Sequence, residues 1–295
     1  MPTVPLNALR TFEAVASRLS FAKGAEALNV TPAAVSSQIR ALEQRLNQAL
    51  FHRHGRQISL TEAGQKLLPG VQRGLAELRQ AVEVVSQDRS EGVLNVTMMP
   101  SILQKWLMPR LAGFYNAKPL IDIRINVDNE LVDFDQSDMH AAVRLGPGKW
   151  AGLSSVKLMD DWILPVCSKK FLKKMGPFSS VEELQERGFL FAPSAVWDAW
   201  FRKYGESNRD SRWSLLNDSL SILMAAEQSE GIALTRWSLV SRDISAGRLV
   251  RPVDTVVKAD WSHYFVAPPQ YFDLPKVADF RDWLIQQCEG FDPPE

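Results

Sequence analysis

SFAKGAEALNVTPAAVSSQIRALEQRLNQALFHRHGRQISLTEAG, residues 20–64, decides the reading of the first domain. In it a short helix, a tight turn, a second helix and a basic hairpin follow one another. Ser20 is placed to cap the first helix, whose small face is Ala22, Ala25 and Leu28. Asn29 suits a left-handed turn after it. Thr31 is an N-cap and Pro32 fits the first helical position. Val35, Ile39, Leu42 and Leu46 then recur at helical spacing and form one narrow apolar seam. At about 100° per residue, Ala33, Ser37, Arg40 and Gln44 fall on the opposite side, with Ser36 at the flank. Small polar side chains near a helix N-terminus allow close approach to base edges, and the free amides there favour phosphate. An ordinary amphipathic helix with a solvated back has the same pattern.

Working outward, FHRHGRQI (51–58) places Gly55 at a tight turn between two short extended arms. Arg53 and Arg56 sit there with two histidines, and no acid stands between Ala49 and Leu60. Arginines on such a hairpin suit phosphates or a minor groove. His52 and His54 have no cysteine or acid beside them to complete a metal shell, so neither a metal nor a cofactor is expected. Upstream, Leu6, Leu9, Phe12, Val15 and Ala16 make a one-sided helical stripe. Downstream, Thr61 is placed to cap a further helix. Its apolar residues Leu68, Val71, Leu75, Leu78, Val82 and Val85 follow a heptad seam. Pro69 removes one helical hydrogen bond and is expected to bend the first turns. The seam reads as a dimer helix, or as a helix packed on its own domain.

The chain has 295 residues and zero formal net charge, and that average hides a split. Residues 1–90 hold 11 Lys+Arg against 7 Asp+Glu, and the remainder 23 against 27. A basic head on an acidic body suits a nucleic-acid-binding end joined to something else. The length accommodates two or three domains. Cys167 and Cys288 stand far apart, outside metal-ligand spacing, and read as reduced thiols. The start, MPTVPLNALRTFEAVA, lacks a basic stretch followed by an apolar core, and no run approaches the ~18 apolar residues of a membrane span. A soluble cytoplasmic protein without a membrane partner is expected.

QDRSEG (87–92) is polar and aperiodic and reads as a hinge. VLNVTM (93–98), LIDIRINV (120–127) and AAVRL (141–145) read as strands, and PSILQKWLMPRLAGFYNAKP (100–119) as a helix. Further strands are expected at VKLMDDWILPVCS (156–168), FLFA (189–192), GIALT (231–235) and HYFVAPP (263–269). Further helices are expected at VEELQERG (181–188), AVWDAWFRKYG (195–205), SLSILMAAEQSEG (219–231) and KVADFRDWLIQQCEG (276–290). The alternation argues for an α/β layout with a parallel sheet.

Ligands of such sheets sit at the carboxyl ends of strands, beside helix starts. Met99–Ile102 and Asn217–Leu220 are two such starts, which either hold an anion or are simply capped. The strand-end loops Val127–Asn129 and Leu145–Gly148 are candidate walls; GPGKWAG (146–152) has a superficial likeness to a dinucleotide turn but lacks GxGxxG spacing and a following helix pattern. Trp197 and Trp200 are candidates for flat apolar walls or for core. An enzyme would have to use His140 or His263 as a base, with no nucleophile motif or phosphate loop nearby. A solute-binding protein would suit the body but not the basic head.

LNALRTFEAVA, SFAKGAEALNVTPAAVSSQIRALEQRL and LFHRHGRQISLTEAG, spanning residues 6–66, resemble the winged helix-turn-helix domain of LysR-type transcriptional regulators. TPAAVS and LFHRHGRQISLTEAG look most like the branch that regulates glycine cleavage and β-lactamase induction. SEGIALTRWSLVSRDISAGRLVRP and HYFVAPP are similar to pieces of that family's effector-binding domain, over about residues 93–290. The resemblance implies an N-terminal all-α winged helix-turn-helix with a long linker helix. It implies a C-terminal α/β two-lobed domain similar to periplasmic binding proteins. The implied bounds are 1–60 for the DNA-binding domain, 61–86 for the linker and dimerisation helix, 87–92 for the hinge and 93–295 for the effector-binding domain. Lobe I would take about 93–165 and 265–290, and lobe II about 166–264.

Double-stranded promoter DNA would meet Thr31, Pro32, Ala33, Ser36, Ser37, Gln38, Arg40, Arg53 and Arg56. A small-molecule effector would lie against Pro100, Ser101, Asp128, Leu145, Ser219, Thr235 and Tyr264, and the two helix starts point to a carboxylate or an amide. The Leu68–Val85 seam would join two copies, with a tetramer and RNA polymerase as further partners. Many members carry Arg or His at the position of Ser37, Gln at Pro32 and glycine at Asn47, which bears on the DNA sequence preferred.

Overall fold

Three hydroxyl caps set the helix starts of the first unit. Ser20 Oγ accepts from the Lys23 amide at 3.2 Å, Thr31 Oγ1 from Ala34 at 3.2 Å and Thr61 Oγ1 from Gly64 at 3.1 Å. Each satisfies an amide that has no partner inside its own helix. The computed structural model describes residues 4–54, 57–86, 90–187, 189–190, 197–205 and 218–294. Its first elements are α1 (Leu6–Ala16), α2 (Phe21–Ala27), α3 (Pro32–Leu46), β1 (Phe51–His54), β2 (Gln57–Leu60) and α4 (Glu62–Ser86). Asn29 and Asn47, with φ of 53° and 48°, follow α2 and α3 in the left-handed conformation that Asn tolerates at helix ends.

Val35, Ile39 and Leu42 are buried with Phe12, Val15 and Phe51 in the core of this unit. Each such side chain contributes about 1.5–3 kcal/mol through burial. Helices α1 and α2 come closest at Gly24, where a Cβ would stand 2.8 Å from Val15 Cγ2. Ala22, expected on the small face, is exposed, and Gly24 with Ala25 takes that role. β1 and β2 pair antiparallel, Phe51 opposite Leu60. Helix α4 continues through Pro69. Its apolar seam divides: Val71 and Leu75 are buried and Leu68 is packed in the unit's own core, whereas Leu78 and Val82 are 47% and 68% exposed.

The chain divides into two compact units, Met1–Ser86 with Asp133–Asp138, and Gln87–Val132 with Met139–Glu295. The second unit opens with β3 (Gly92–Met98). Helix α5 (Pro100–Ile102) passes through one π turn, Leu103–Leu107, into α6 (Met108–Ala117). Then come β4 (Ile121–Val127), β5 (Ala141–Gly146), β6 (Ser154–Met159) and β7 (Trp162–Val166). Helices α7 (Lys169–Met175), α8 (Val181–Glu186), α9 (Asp198–Tyr204) and α10 (Ser219–Glu227) follow. The chain finishes with β8 (Ala233–Arg236), α11 (Trp237–Ser245), β9 (Val257–Lys258), β10 (Ser262–Ala267), α12 (Pro269–Phe272) and α13 (Pro275–Cys288).

These strands make two sheets and hence two lobes. Lobe I has the order β4-β3-β5-β10-β6, and lobe II the order β8-β7-β9. The lobe I core includes Leu94, Val96 and Phe265 beneath Phe114, Phe280 and Trp283 of α6 and α13. Phe280 and Trp283 are stacked with centroids 6.0 Å apart, and Phe114 meets both edge-on.

Among the named strands of the described residues, the expectation of a parallel sheet holds for β4, β3 and β5, and the isolated Leu190–Ala233 bridge is also parallel. β10 runs antiparallel to β5 and β6, and the lobe II strands pair antiparallel. The reason is topological: β10 enters lobe I on the chain's return from lobe II, not through a helical crossover beside its neighbour. The single strand expected over 156–168 is two strands in different sheets, broken at Asp160–Asp161. The links between the two sheets therefore lie at 160–161 and 259–261. Of the strand expected at FLFA, Leu190 makes an isolated bridge to Ala233, and Phe191 and Ala192 lie outside the described residues.

Candidate nucleic-acid interface and ligand cleft

In the first unit, the buried seam of α3 fixes what faces outward. Thr31, Pro32, Ala33, Ser37 and Arg40 are exposed and Ser36 is half-buried. Arg40 Nε donates to the Ser36 carbonyl at 3.3 Å, which lays the guanidinium back along its own helix. Gln38 has a second contact besides the outer face. It is half-buried, and its amide oxygen accepts from the Thr11 hydroxyl of α1, so it braces the helix pair. Arg53 lies on β1 with its backbone opposite Ile58. Arg56, and the side chain of Arg53, lie outside the described residues, as do Gly55 at the turn and the side chain of Val85. Glu43, one turn before the end of α3, accepts from the Leu50 amide at 2.8 Å and ties the hairpin to the helix. Sequence reading missed Glu43, although an acid inside an otherwise basic segment is a visible signal.

In the second unit, the lobe I candidates converge at the carboxyl ends of β3, β4 and β5. The Asp128 amide donates to the Met98 carbonyl at 3.0 Å, which sets Asp128 beside Pro100 and Ser101. Arg144, buried on β5, organises this end and was not singled out from sequence. Its Nη1 donates to the Asp128 carbonyl at 2.8 Å and its Nη2 to Thr97 Oγ1 at 3.1 Å; its Nε is buried without a partner. Burial lowers the Arg144 pKa against the opposing pull of Asp128. Tyr264 on β10 lies opposite Arg144, with Leu145 next in line. The Tyr264 ring meets Trp150 at 5.5 Å, and a Cβ on Gly148, whose φ is 94°, would stand 2.6 Å from its hydroxyl.

Lobe II supplies Ser219 and Thr235. Ser219 opens α10, and α5, which carries Ser101, packs against both α10 and α11. Here the capping alternative prevails: Asp218 accepts from the Leu220 and Ser221 amides at 3.2 and 2.9 Å and already fills the α10 start. Burial pushes the Asp218 carboxyl up, but the Ser221 and Leu220 bonds outweigh it and hold it below its ordinary value. Thr235 is buried on β8 opposite Leu164. Lys105, from the π turn, pairs across to Asp243 of α11 at 3.0 Å and Glu227 of α10 at 3.5 Å.

Trp197 and Trp200 are buried in the lobe II core, not set as cleft walls. His140 Nδ1 accepts from the Asn95 amide at 3.0 Å. His263 is buried against Asp161, with Nε2 2.9 Å from its carboxylate. Neither histidine is placed as a base. Cys167 and Cys288 are free thiols, buried in different clusters. Among the described residues no group of three or more His, Cys, Asp or Glu could hold a metal ion. Among them, too, no helix is long and apolar enough to cross a membrane.

A capped helix-turn-helix with a hairpin wing, a long following helix and a two-lobed α/β unit define a class: a DNA-binding head coupled to a ligand-binding body. Residues 6–65 match the model of the bacterial regulatory helix-turn-helix protein, lysR family, and residues 87–289 match the LysR substrate binding domain. The chain belongs to the LysR family of transcriptional regulators. It is 36% identical over 286 residues to the glycine cleavage system transcriptional activator of Escherichia coli, covering 96% of this chain and 94% of that one. It is 31% identical over 289 residues to the HTH-type transcriptional activator AmpR of Pseudomonas aeruginosa, covering 97% of each. The full-length structure of the Vibrio cholerae virulence activator AphB shares the fold, with a TM-score of 0.61, 21% identity and coverage of 96% of this chain and 99% of that one. The chain is thus a transcriptional regulator with an effector-binding domain, and its relatives are regulators, not enzymes.

Proposed function

We propose that this regulator binds promoter DNA as a dimer, with one α3 helix in each of two successive major grooves. The observation that carries the reading is the outer face of α3. Thr31, Pro32, Ala33 and Ser37 are small and exposed at the helix start, directly behind a seam whose Ile39 and Leu42 have no exposed surface. Such a face admits base edges, and the α3 amides that remain beyond the Thr31 cap favour phosphate. Ser36 and Arg40 flank it, and Arg53 and Arg56 of the hairpin would neutralise phosphates.

Two copies would meet along α4. Its outer half exposes Leu78 and Val82, and a groove of about 420 Å³ beside it is lined by Leu6, Leu9, Leu67, Val71, Leu75 and Leu78. Leu68, Val71 and Leu75 then serve chiefly to fix α4 to its own head. A symmetric dimer would read two half-sites. Tetramers and contact with RNA polymerase extend the same reading, which places the protein in the cytoplasm.

The effector is a small carboxylate or amide between the lobes, facing Pro100, Ser101, Asp128, Leu145, Tyr264, Ser219 and Thr235. The buried Arg144 guanidinium supports an anionic ligand. A gel-shift series on the DNA flanking the gene tests the reading, with Arg53→Ala beside the parent. The variant is expected to bind every sequence more weakly and to lower the salt slope by about 1 for each phosphate it no longer neutralises. No binding by the parent even at low salt would overturn it. A thermal-shift screen of small carboxylates and amides tests the ligand; stabilisation by neutral apolar compounds alone would contradict it.

A further inference from the structure

Asp161 lies in the short link between β6 of lobe I and β7 of lobe II, and it has no exposed surface. Its carboxylate gathers four hydrogen bonds. Oδ1 accepts from the Trp162 amide at 2.9 Å and the Ser238 amide at 3.1 Å. Oδ2 accepts from Ser238 Oγ at 2.7 Å and from His263 Nε2 at 2.9 Å. Its carbonyl accepts from the Ala259 amide, on the returning link, at 2.9 Å. One residue therefore ties both links to β10 of lobe I, through His263, and to α11 of lobe II, through Ser238. The β10–β6 register shifts between His263 and Tyr264, an irregularity of the kind that re-aims a side chain. Burial pushes the Asp161 carboxyl up, but His263, Arg236 and Ser238 outweigh it and keep it ionised below its ordinary value.

Arg236, the last residue of β8, is the member left over. Its side chain is 6% exposed and its Nη1 stands 4.0 Å from Asp161 Oδ2. Among the described residues neither Nη1 nor Nη2 has a hydrogen-bond partner, and the guanidinium lies over the Trp197 ring at 5.4 Å. A buried guanidinium with unbonded nitrogens is costly. It stops about 1 Å short of a charge-assisted hydrogen bond. Saturation is what holds it off. A carboxylate offers about four lone-pair sites, and four donors fill them. Arg236 can bond Oδ2 only when Ser238 or His263 leaves, and those two donors come from different lobes.

We infer that Asp161 exchanges partners as the lobes rotate, losing His263 of lobe I and gaining Arg236 of lobe II. The hinge then has two hydrogen-bonded arrangements of Asp161, and an effector acts by favouring one of them. His263 and Arg236 are positioning residues. The biological use of the exchange rests on the effector-binding reading above, but the exchange itself belongs to the effector-binding domain and needs no effector to be seen.

The test is a distance across the lobes in the full chain. Spin labels are placed on Gln286→Cys of α13 and Lys170→Cys of α7, both exposed positions. Cys167 and Cys288 are buried, out of reach of the labelling reagent. Dilution into unlabelled chain isolates the intramolecular distance. His263→Phe is expected to move that distance by several ångströms, whereas Ser238→Ala, which frees Oδ2 within lobe II and keeps the His263 tie, is expected to leave it in place. His263→Gln keeps an N–H donor and is expected to leave it in place. Adding Arg236→Met to His263→Phe is expected to restore the parent distance, because the capturing group is gone. An unchanged distance in His263→Phe overturns the inference, and so does a shift that survives the loss of Arg236. Failure of the parent to bind DNA would sink the regulator reading and leave these distances as they are.

Discussion

The DNA-binding head and the effector-binding domain carry their working surfaces in opposite ways. The outer face of the head is one helix, Pro32–Leu46, started by a cap at Thr31 and ended by the left-handed Asn47. The lobe I wall is built from Met98, Asp128, Arg144 and Tyr264, which four different stretches of chain bring together. A surface made by one element is held by bonds within a few residues. A surface made by strand ends exists only once distant strands have paired. Local surfaces should therefore tolerate damage elsewhere, and assembled ones should not.

The largest test of this contrast is Phe280→Ala. Phe280 has no exposed surface and packs on Phe114 and Trp283, so its loss is expected to cost about 3–5 kcal/mol. Calorimetry should show the effector-domain transition falling while that of the head stays in place; a joint fall would break the comparison. A smaller effect is expected from Ser37→Glu, which puts a negative charge on the exposed face of α3. DNA affinity should fall by about 1–3 kcal/mol in a gel-shift titration, with the melting temperature unchanged. Smaller again is Thr31→Ala, which removes the cap on the Ala34 amide. Urea unfolding should report a loss of about 1 kcal/mol, confined to the head.

The smallest effect expected is that of acid. The Ser262 hydroxyl leads, with Lys157 and Lys258, in holding Asp160 at about 2, below the ordinary carboxyl value, against the upward pull of burial. A depressed carboxyl contributes stability above its unfolded value and loses it as the pH falls through the folded one. The crossover at Asp160 should thus weaken between about pH 4 and pH 2, seen as faster amide exchange at Ala259 and Ser262. An equal change at pH 6 would contradict the assignment.

How much was legible follows the same division. The caps Ser20, Thr31 and Thr61 and the seam from Val35 to Leu42 act over a turn or less, and their spacing gave them away. The bond of Gln38 to Thr11 of α1 was not legible, because the outer face of α3 and its contact with α1 are adjacent on the helix wheel. In α4 the heptad pattern was read as one interface, whereas it turns from own core to exposed surface between Leu75 and Leu78. In the effector domain most elements were legible, but not the direction of β10 or the break at Asp160–Asp161. Arg144, Asp161 and Arg236 look like any charged residue near a strand. Their burial comes from pairing with segments that sequence spacing does not mark.

The position of β10 has a consequence for how the protein is made. Lobe I has β3, β4, β5 and β6 in hand once residue 159 has been synthesised, yet the strand that belongs between β5 and β6 begins at Ser262. At ~5–20 residues per second, a ribosome needs ~5–20 s to deliver it. Through that interval the nascent chain offers an unpaired edge on β5, with buried-type side chains such as Val143 waiting for Phe265. The newborn regulator is therefore most vulnerable to aggregation midway through its own translation, and a chaperone that shields an open sheet edge would do its service there.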